Sequence, residues 1–316
     1  FFRCQPSEVS KEQRLRFIGQ KASDGEGRRK IAFYCSALSV SRQGFYKDQA
    51  RETRPWKYRK LAQAMEEICK EDPCNDTYGR TRMHQALLLK QPQGVQIPSE
   101  RTVYRVMEAL GLSHRPKRKP NSLTREDRAA QKSDNLLKRD FSSSRPLEKC
   151  VTDITEIKGS DGKLYVSAIF DCYDRAVLGL SMDTNMKAPL CAKTVENAVK
   201  AYPALRSAIL HSDRGSQYTS GLYRQTIQKA GLIQSMNSAG GRCHDNARCE
   251  SMWARMKEEL FYSRLDSRKI PVAQLRELVW RYFFGYWNNR RICSANGGLP
   301  PMVKRQRYYH SLRQTA

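Results

Sequence analysis

The chain has 316 residues, 39% hydrophobic and 28% charged, which is enough for two or three domains that each bury a core. No apolar run approaches the roughly 18 residues of a membrane span, and no basic, apolar, small-residue order marks a secretory leader. The 57 Lys and Arg against 32 Asp and Glu leave a net charge of +25, of which residues 1–150 hold +14 and residues 151–316 hold +11. Solubility needs only about 2–8 charges on a small domain, so an excess spread over both halves points to a polyanion, with nucleic acid the first candidate.

In chain order, IAFYCSALSVSRQGFYKD at 31–48 predicts two short helices about a tight turn. Ile31, Tyr34, Cys35 and Leu38 share one face, and Ser39-Val40-Ser41 supplies the turn and an N-cap. This fits a helix-turn-helix and, equally, an ordinary helical hairpin. Residues 1–57 read as the first helical region, and residues 58–114 as a second, clearer case, a helix-turn-helix DNA-binding domain. Helices are expected at about Tyr58–Lys70, from Tyr78-Gly79-Arg80 to Lys90, and from Ser99 to Gly111. In the last, Val103, Val106, Met107 and Leu110 form the apolar stripe, while Arg101 and Arg105 face away from it toward DNA. A three-helix bundle with no DNA role is the alternative, and the overall charge weighs against it.

His114-Arg115-Pro116-Lys117-Arg118-Lys119-Pro120 has four basic residues, two prolines and no apolar period. It reads as an extended linker over 115–145, with Lys117, Arg118 and Lys119 tracking phosphates and a short polar helix following to about Lys138. A nuclear-targeting run is its usual rival. Over 146–290 the texture is α/β. Strands are expected at 150–158, 164–172, 176–183, 207–212 and 233–237, and helices near 188–201, 220–230, 245–261 and 271–287. Asp161-Gly162 turns the first hairpin. Three meandering strands followed by alternating helices and strands is the order of a ribonuclease-H-like fold, a mixed five-stranded sheet with helices, here preceded by an all-α region. Residues 291–316 read as a tail.

Three acids sit where chemistry is expected. Asp153 lies among apolar residues of the first strand, Asp213 ends the strand ILHS, and Glu250 lies on the long helix. A carboxylate buried in a strand is costly unless it is paired or binds a cation. Oxygen ligands suit Mg²⁺ or Mn²⁺, and two such ions about 3.5–4 Å apart serve both oxygens of an in-line phosphoryl displacement. Lys257, seven residues after Glu250, lies almost on the same helical face, facing an adjoining DNA phosphate. Arg290 and Arg291, after two asparagines, are further phosphate contacts.

The blocks VTDIT (151–155), HSDRGSQYTS (211–220), SMN (235–237), DNARCES (245–251), MKEEL (256–260) and YWNNRR (286–291), with YGRTRMHQAL and SERTVYRVMEALGL upstream, resemble the DDE transposases and retroviral integrases. The resemblance is specifically to the second-frame product of the insertion-sequence-three family, over roughly residues 30–305. It implies catalytic and metal-binding roles for Asp153, Asp213 and Glu250, with two Mg²⁺ or Mn²⁺ ions. It also implies double-stranded DNA (element ends and target) as partner, a homo-multimer on DNA, and a bacterial, cytoplasmic, nucleoid-associated setting without membrane. The expected activity is cleavage at terminal inverted repeats followed by strand transfer. A hydrolysis-only nuclease and a non-catalytic regulator are the alternatives.

Two departures stand out. Between Asp213 and Glu250 lie 36 residues, one more than the family's usual spacing, and Cys293 and Asn296 replace the usual histidine and leucine after Arg291.

The remaining residues have plainer expectations. Asp245 is an N-cap, Glu258 and Glu259 are surface acids, Asp171 and Asp174 form a turn, and His211 is packed rather than a base. Most aromatics after Glu250 belong to the core. The ten cysteines, none in a C-x-x-C pair, read as reduced and mostly buried thiols. Cys243-His244 with Cys249 lacks the second half of a zinc site.

Overall fold

The structure is a computed structural model that describes residues 9–25, 28–52, 56–112, 133–138, 140–238, 247–262 and 264–315. It divides into two compact units, residues 1–60 and 61–316.

The first unit holds α1 (Lys11–Ser23), α2 (Arg28–Ala37) and α3 (Arg42–Glu52). Ile18, Ile31, Cys35, Leu38, Val40 and Phe45 form its core. Ser39 takes the left-handed backbone (φ 52°), and the Ser41 hydroxyl caps α3 by accepting the Gly44 amide at 3.0 Å, so the expected turn and cap both occur. Arg42, Gln43, Tyr46 and Lys47 line the exposed side of α3.

The second unit opens with α4 (Arg59–Glu71), α5 (Arg80–Lys90) and α6 (Glu100–Ala109), close to the expected bounds. Five strands follow: β1 (Lys149–Lys158), β2 (Lys163–Asp171), β3 (Val177–Asp183), β4 (Ile209–Ser212) and β5 (Ile233–Met236). The sheet order is β3-β2-β1-β4-β5, with β1 to β3 antiparallel, β4 parallel to β1 and β5 parallel to β4. Helices α7 (Ala188–Ala201), α8 (Ser216–Thr219) and α9 (Gly221–Ala230) alternate with the last strands, and α10 (Ala247–Lys257) and α11 (Val272–Trp280) come after them. This is the ribonuclease-H-like arrangement.

Strand side chains alternate between the two faces. Cys150, Ile154, Ile169 and Leu178 pack under α7 and α9, while Val151, Ile157, Val166 and Phe170 pack under α10 and α11. Gly179 lets β3 touch α7. A Cβ there would lie 2.6 Å from the Thr194 carbonyl oxygen.

Both C-terminal core helices widen at their ends, α10 into a π-turn at Glu258–Tyr262 and α11 into one at Arg281–Trp287. These turns hold a buried ionic hub that corrects two expectations. Glu259 is fully buried rather than a surface acid. It accepts bonds from Arg291 (2.7 and 2.9 Å), Arg82 of α5 (2.7 Å) and the Tyr282 hydroxyl (2.8 Å). Arg291, 6% exposed, is therefore consumed by Glu259 and stacks 4.4 Å from the centre of the Trp287 ring instead of facing phosphate. Spacing alone did not separate Glu259 from Glu258, because the π-turn shifts the helical phase between them.

Two further expectations change. The tail is a helix, α12 (Pro301–Thr315), held by Arg305 on Asp171 (2.6 Å) and Asp174 (2.7 Å). Both acids do form the turn they were assigned to, accepting the Tyr173 and Ala176 amides. Residues 133–138, where the polar helix was to end, are not helical, and the rest of that stretch lies outside the described residues. Among the described residues no helix is long and apolar enough to cross a membrane. The described cysteines are all free thiols, and all but Cys69 are buried.

Burial pushes the Glu259 carboxyl up, but Arg291, Arg82 and the Tyr282 hydroxyl together outweigh it and hold the carboxyl down to about 2. A depressed carboxylate stabilises the fold fully above its unfolded value of about 4.3, and the stabilisation is lost as pH falls toward 2. Glu259→Gln leaves Arg291 buried without its counter-charge and is expected to cost about 3–5 kcal/mol. Urea unfolding at pH 7 checks this, and a loss below about 1 kcal/mol would contradict the hub.

Candidate active site

The site lies where β1 and β4 part. Their parallel pairing runs Lys149↔Ile209, Cys150↔Leu210, Val151↔His211 and then stops. Asp153 and Asp213 each follow two residues beyond the last pair, near enough for Asp213 to act on the Asp153 carboxyl. The fork arises because β1 continues to Lys158 with β2 while β4 ends at Ser212. Crevices at such a switch point, beyond the carboxyl ends of parallel strands, are where α/β sheets bind ligands.

Each side chain is held by its own surroundings. Asp153 is 8% exposed, on the α10 face of the sheet, and the neighbouring Thr152 hydroxyl bonds across to the Ala168 carbonyl at 2.9 Å. The half-buried Asp213 accepts the Gly215 amide through Oδ1 at 2.9 Å, which bends the chain into α8. Gly215 permits that bend, since a Cβ there would lie 3.0 Å from the same oxygen. Behind it His211 is buried, its ring nitrogens 2.9 Å from Ser235 Oγ and Asn237 Oδ1, so it fixes the end of β4 as a packed residue. Glu250 sits exposed in the first turn of α10, while Cys249, Met252, Trp253 and Met256 seat that helix on the sheet.

Electrostatics tie the three acids together. Burial first, then Asp213, and to a lesser degree Glu250 push the Asp153 carboxyl well above the usual range. The Ile154 amide and the Trp253 indole oppose this only in part. Lys257 is partly buried. Desolvation pulls its ammonium below the usual range, and Glu156 and Asp153 pull it back up. The lysine thus shares the field of Glu156 and Asp153.

Among the described residues, no three His, Cys, Asp or Glu side chains close into a ready metal cluster. Asp213 and, less strongly, Glu250 stand within electrostatic reach of Asp153, and Glu250 lies in the helix that begins just after residues 239–246, which are outside the described residues. Asp245, Cys243 and His244 fall in that stretch. The donors still fit a divalent cation, being hard carboxylate oxygens of which one is desolvated against two like charges.

The DNA-facing candidates separate. Arg101 and Arg105 are exposed on α6 beside Tyr104, opposite the buried Val103, Val106 and Met107. Arg290 is half exposed but engages the buried Asp72 at 3.1 Å. Lys117, Arg118 and Lys119 lie outside the described residues. The sequence did not single out Arg248, two residues before Glu250. It donates to the Phe141 carbonyl at 2.9 Å and lies 5.7 Å from the centre of that ring, which stands edge-on to His211 with ring centres 6.3 Å apart. No local pattern marks this brace.

Asp153→Asn is expected to stabilise the unliganded protein. Because the folded-state carboxyl is raised, wild-type stability is highest below the unfolded value of about 3.9 and falls as pH rises past it, whereas the amide variant escapes that fall. A gain of about 1.4 kcal/mol or more at pH 7, read by urea unfolding without divalent metal, corresponds to one pKa unit. A loss of stability would mean that the acidic pair is not strained.

Comparison with known proteins gives the family. Two models of the integrase core domain match residues 143–241 and 232–301. A putative transposase InsK for insertion sequence element IS150 of Escherichia coli is 32% identical over 86% of this chain and 92% of its own. Transposase InsF for insertion sequence IS3A of the same organism is 32% identical, with the same coverage. A probable transposase for insertion sequence element IS1353 of Shigella flexneri is 33% identical over 87% of this chain, which spans 52% of that relative's length. On these grounds the chain belongs to the insertion-sequence-three family of DDE transposases and carries their integrase core.

Proposed function

We propose that this transposase cuts DNA at the terminal inverted repeats of its own insertion sequence and joins the freed 3′-OH ends to target DNA. The observation that carries the reading is the fork of β1 and β4, which sets Asp153 beside Asp213 within the field of Glu250. On this reading Asp153, Asp213 and Glu250 hold two Mg²⁺ or Mn²⁺ ions. Those ions supply charge neutralisation at the scissile phosphate and a more acidic attacking hydroxyl.

The chain's own residues do the rest. The buried Asp153 fixes the centre in a desolvated site, Asp213 is oriented by the Gly215 amide, and α10, packed on the same face of the sheet, carries Glu250. Lys257 provides a positive charge for a phosphate beside the acids. Phosphoryl transfer of this kind depends on positioning and charge, so no serine or tyrosine nucleophile is required.

The exposed Arg101 and Arg105 of α6 take the DNA end, and the net charge of +25 supplies sequence-independent affinity. Pairing two ends calls for a multimer assembled on DNA. The setting is the bacterial cytoplasm at the nucleoid.

The test is incubation of a duplex carrying the element's end with Mg²⁺ and wild type, Glu250→Gln or Asp153→Asn. Wild type is expected to nick at the end and, given target plasmid, to join it. Both variants should fall at least about a hundredfold, since even disturbing residues behind a metal ligand costs up to that much. Equal cleavage by Glu250→Gln would remove Glu250 from the site. Nicking without joining would favour a hydrolysis-only nuclease, and binding with no cleavage by wild type would favour a regulator.

A further inference from the structure

We infer that the outer half of α12 is a second DNA-contacting element, a cationic arm that takes the phosphate backbone of a duplex irrespective of sequence. The inference rests on the DNA reading above. It concerns a different surface from both the acidic site and α6.

The helix has two parts. Its first half is anchored. Arg305, 4% exposed, bridges Asp171 and Asp174, and Lys304 donates to the Tyr173 carbonyl at 2.6 Å while lying 4.3 Å from the centre of that ring. The Met302 amide reaches the Asn288 carbonyl at 2.9 Å, and Tyr308 meets Tyr173 edge-on at 5.3 Å. Past Tyr308 the side chains turn to solvent, and Tyr309, His310, Leu312, Arg313 and Gln314 are all exposed, as is Arg307 just before them. Two helical turns with so little apolar burial draw little stability from their own propensity, so they persist because the first half is clamped. A clamped helix that projects is pre-organised for a partner.

The chemistry of the arm names that partner. No Asp or Glu occurs between Glu277 and Ala316, so the cations of α12 have no acidic neighbour along the helix to neutralise them. Gln306, His310 and Arg313 share a helical face, Arg307 stands about a quarter-turn round from Gln306, and all four line one open hollow with Val303 and Tyr309. Arg307 and Arg313 are about 9 Å apart along the axis, so they address separate phosphates. Arginine forks, an imidazole and a tyrosine hydroxyl together make a phosphate-contacting surface. An acidic protein would satisfy the charge equally, but the +25 of the whole chain favours the polymer of phosphates.

The experiment compares full-length wild type with the Arg307→Ala/Arg313→Ala double variant binding a labelled random-sequence duplex across a salt series. Loss of two phosphate contacts should lower the slope of log affinity against log salt by about 1.8 and weaken binding at low salt at least about tenfold. Arg307→Lys/Arg313→Lys should restore the slope, and unchanged circular dichroism excludes unfolding. A double variant with the slope and affinity of wild type overturns the proposal, as does a DNA-independent dimer that the double substitution abolishes, which would make α12 an interface between copies. Wild type that binds the duplex yet never cleaves it leaves this inference standing while the catalytic reading fails. Wild type that binds no duplex sinks both.

Discussion

The site depends on where one run of backbone hydrogen bonds stops. β1 and β4 pair in parallel through Val151 and His211 and then separate, which places two carboxylates in register at the mouth of the fork. Had the pairing stopped earlier, the register that aligns them would be lost. The sheet thus imposes both the burial and, second to it, the like-charge repulsion that raise Asp153, and it does so with ordinary backbone geometry. A fold that tolerates this repulsion is held together elsewhere, as expected where function and stability compete.

Two buried ionic clusters share that task, each at a different boundary of the sheet. Glu259 joins α5 to the two π-turns through Arg82, Arg291 and Tyr282, so the helical region of residues 61–112 and the helix that carries Glu250 share one buried anchor. The Tyr286 hydroxyl adds to it by donating to Asn75 Oδ1 at 3.0 Å. At the other boundary Arg305 ties α12 to the turn after β2. Ion pairs of this kind add little net stability over apolar packing, but breaking one leaves an uncompensated charge, so they fix a unique arrangement. The arrangement they fix keeps α6 and the acidic fork on a single body.

Arg248 plays a smaller part of the same kind. It links the start of α10 to Phe141, and Phe141 meets His211, which lies two residues before Asp213. The segment entering the catalytic sheet therefore braces both elements that bring acids to the site.

Much of this was written locally. Alternation within VTDIT, the capped start at Ser99 and the apolar stripe of α6 are decided by neighbours a few residues apart, so the strands, most of the helices and Asp153 and Asp213 as candidates were legible in the sequence, Glu250 through its motif. The fates of Glu259, Arg291 and Arg305 were not. A π-turn alters helical phase without a local marker, and their partners lie 23 to 177 residues away. Pro301 at a first helical position, with no breaker up to Thr315, would have revealed α12 as a helix, but not that its first half is clamped and its second exposed. By itself the sequence offered the candidates, because carboxylates in that setting suit divalent ions and phosphate, and a net charge of +25 that favours a polyanion, because charge sums without regard to folding. The tertiary structure alone decided which charges are free to act, because burial and long-range pairing set whether an arginine faces phosphate or is spent holding the fold.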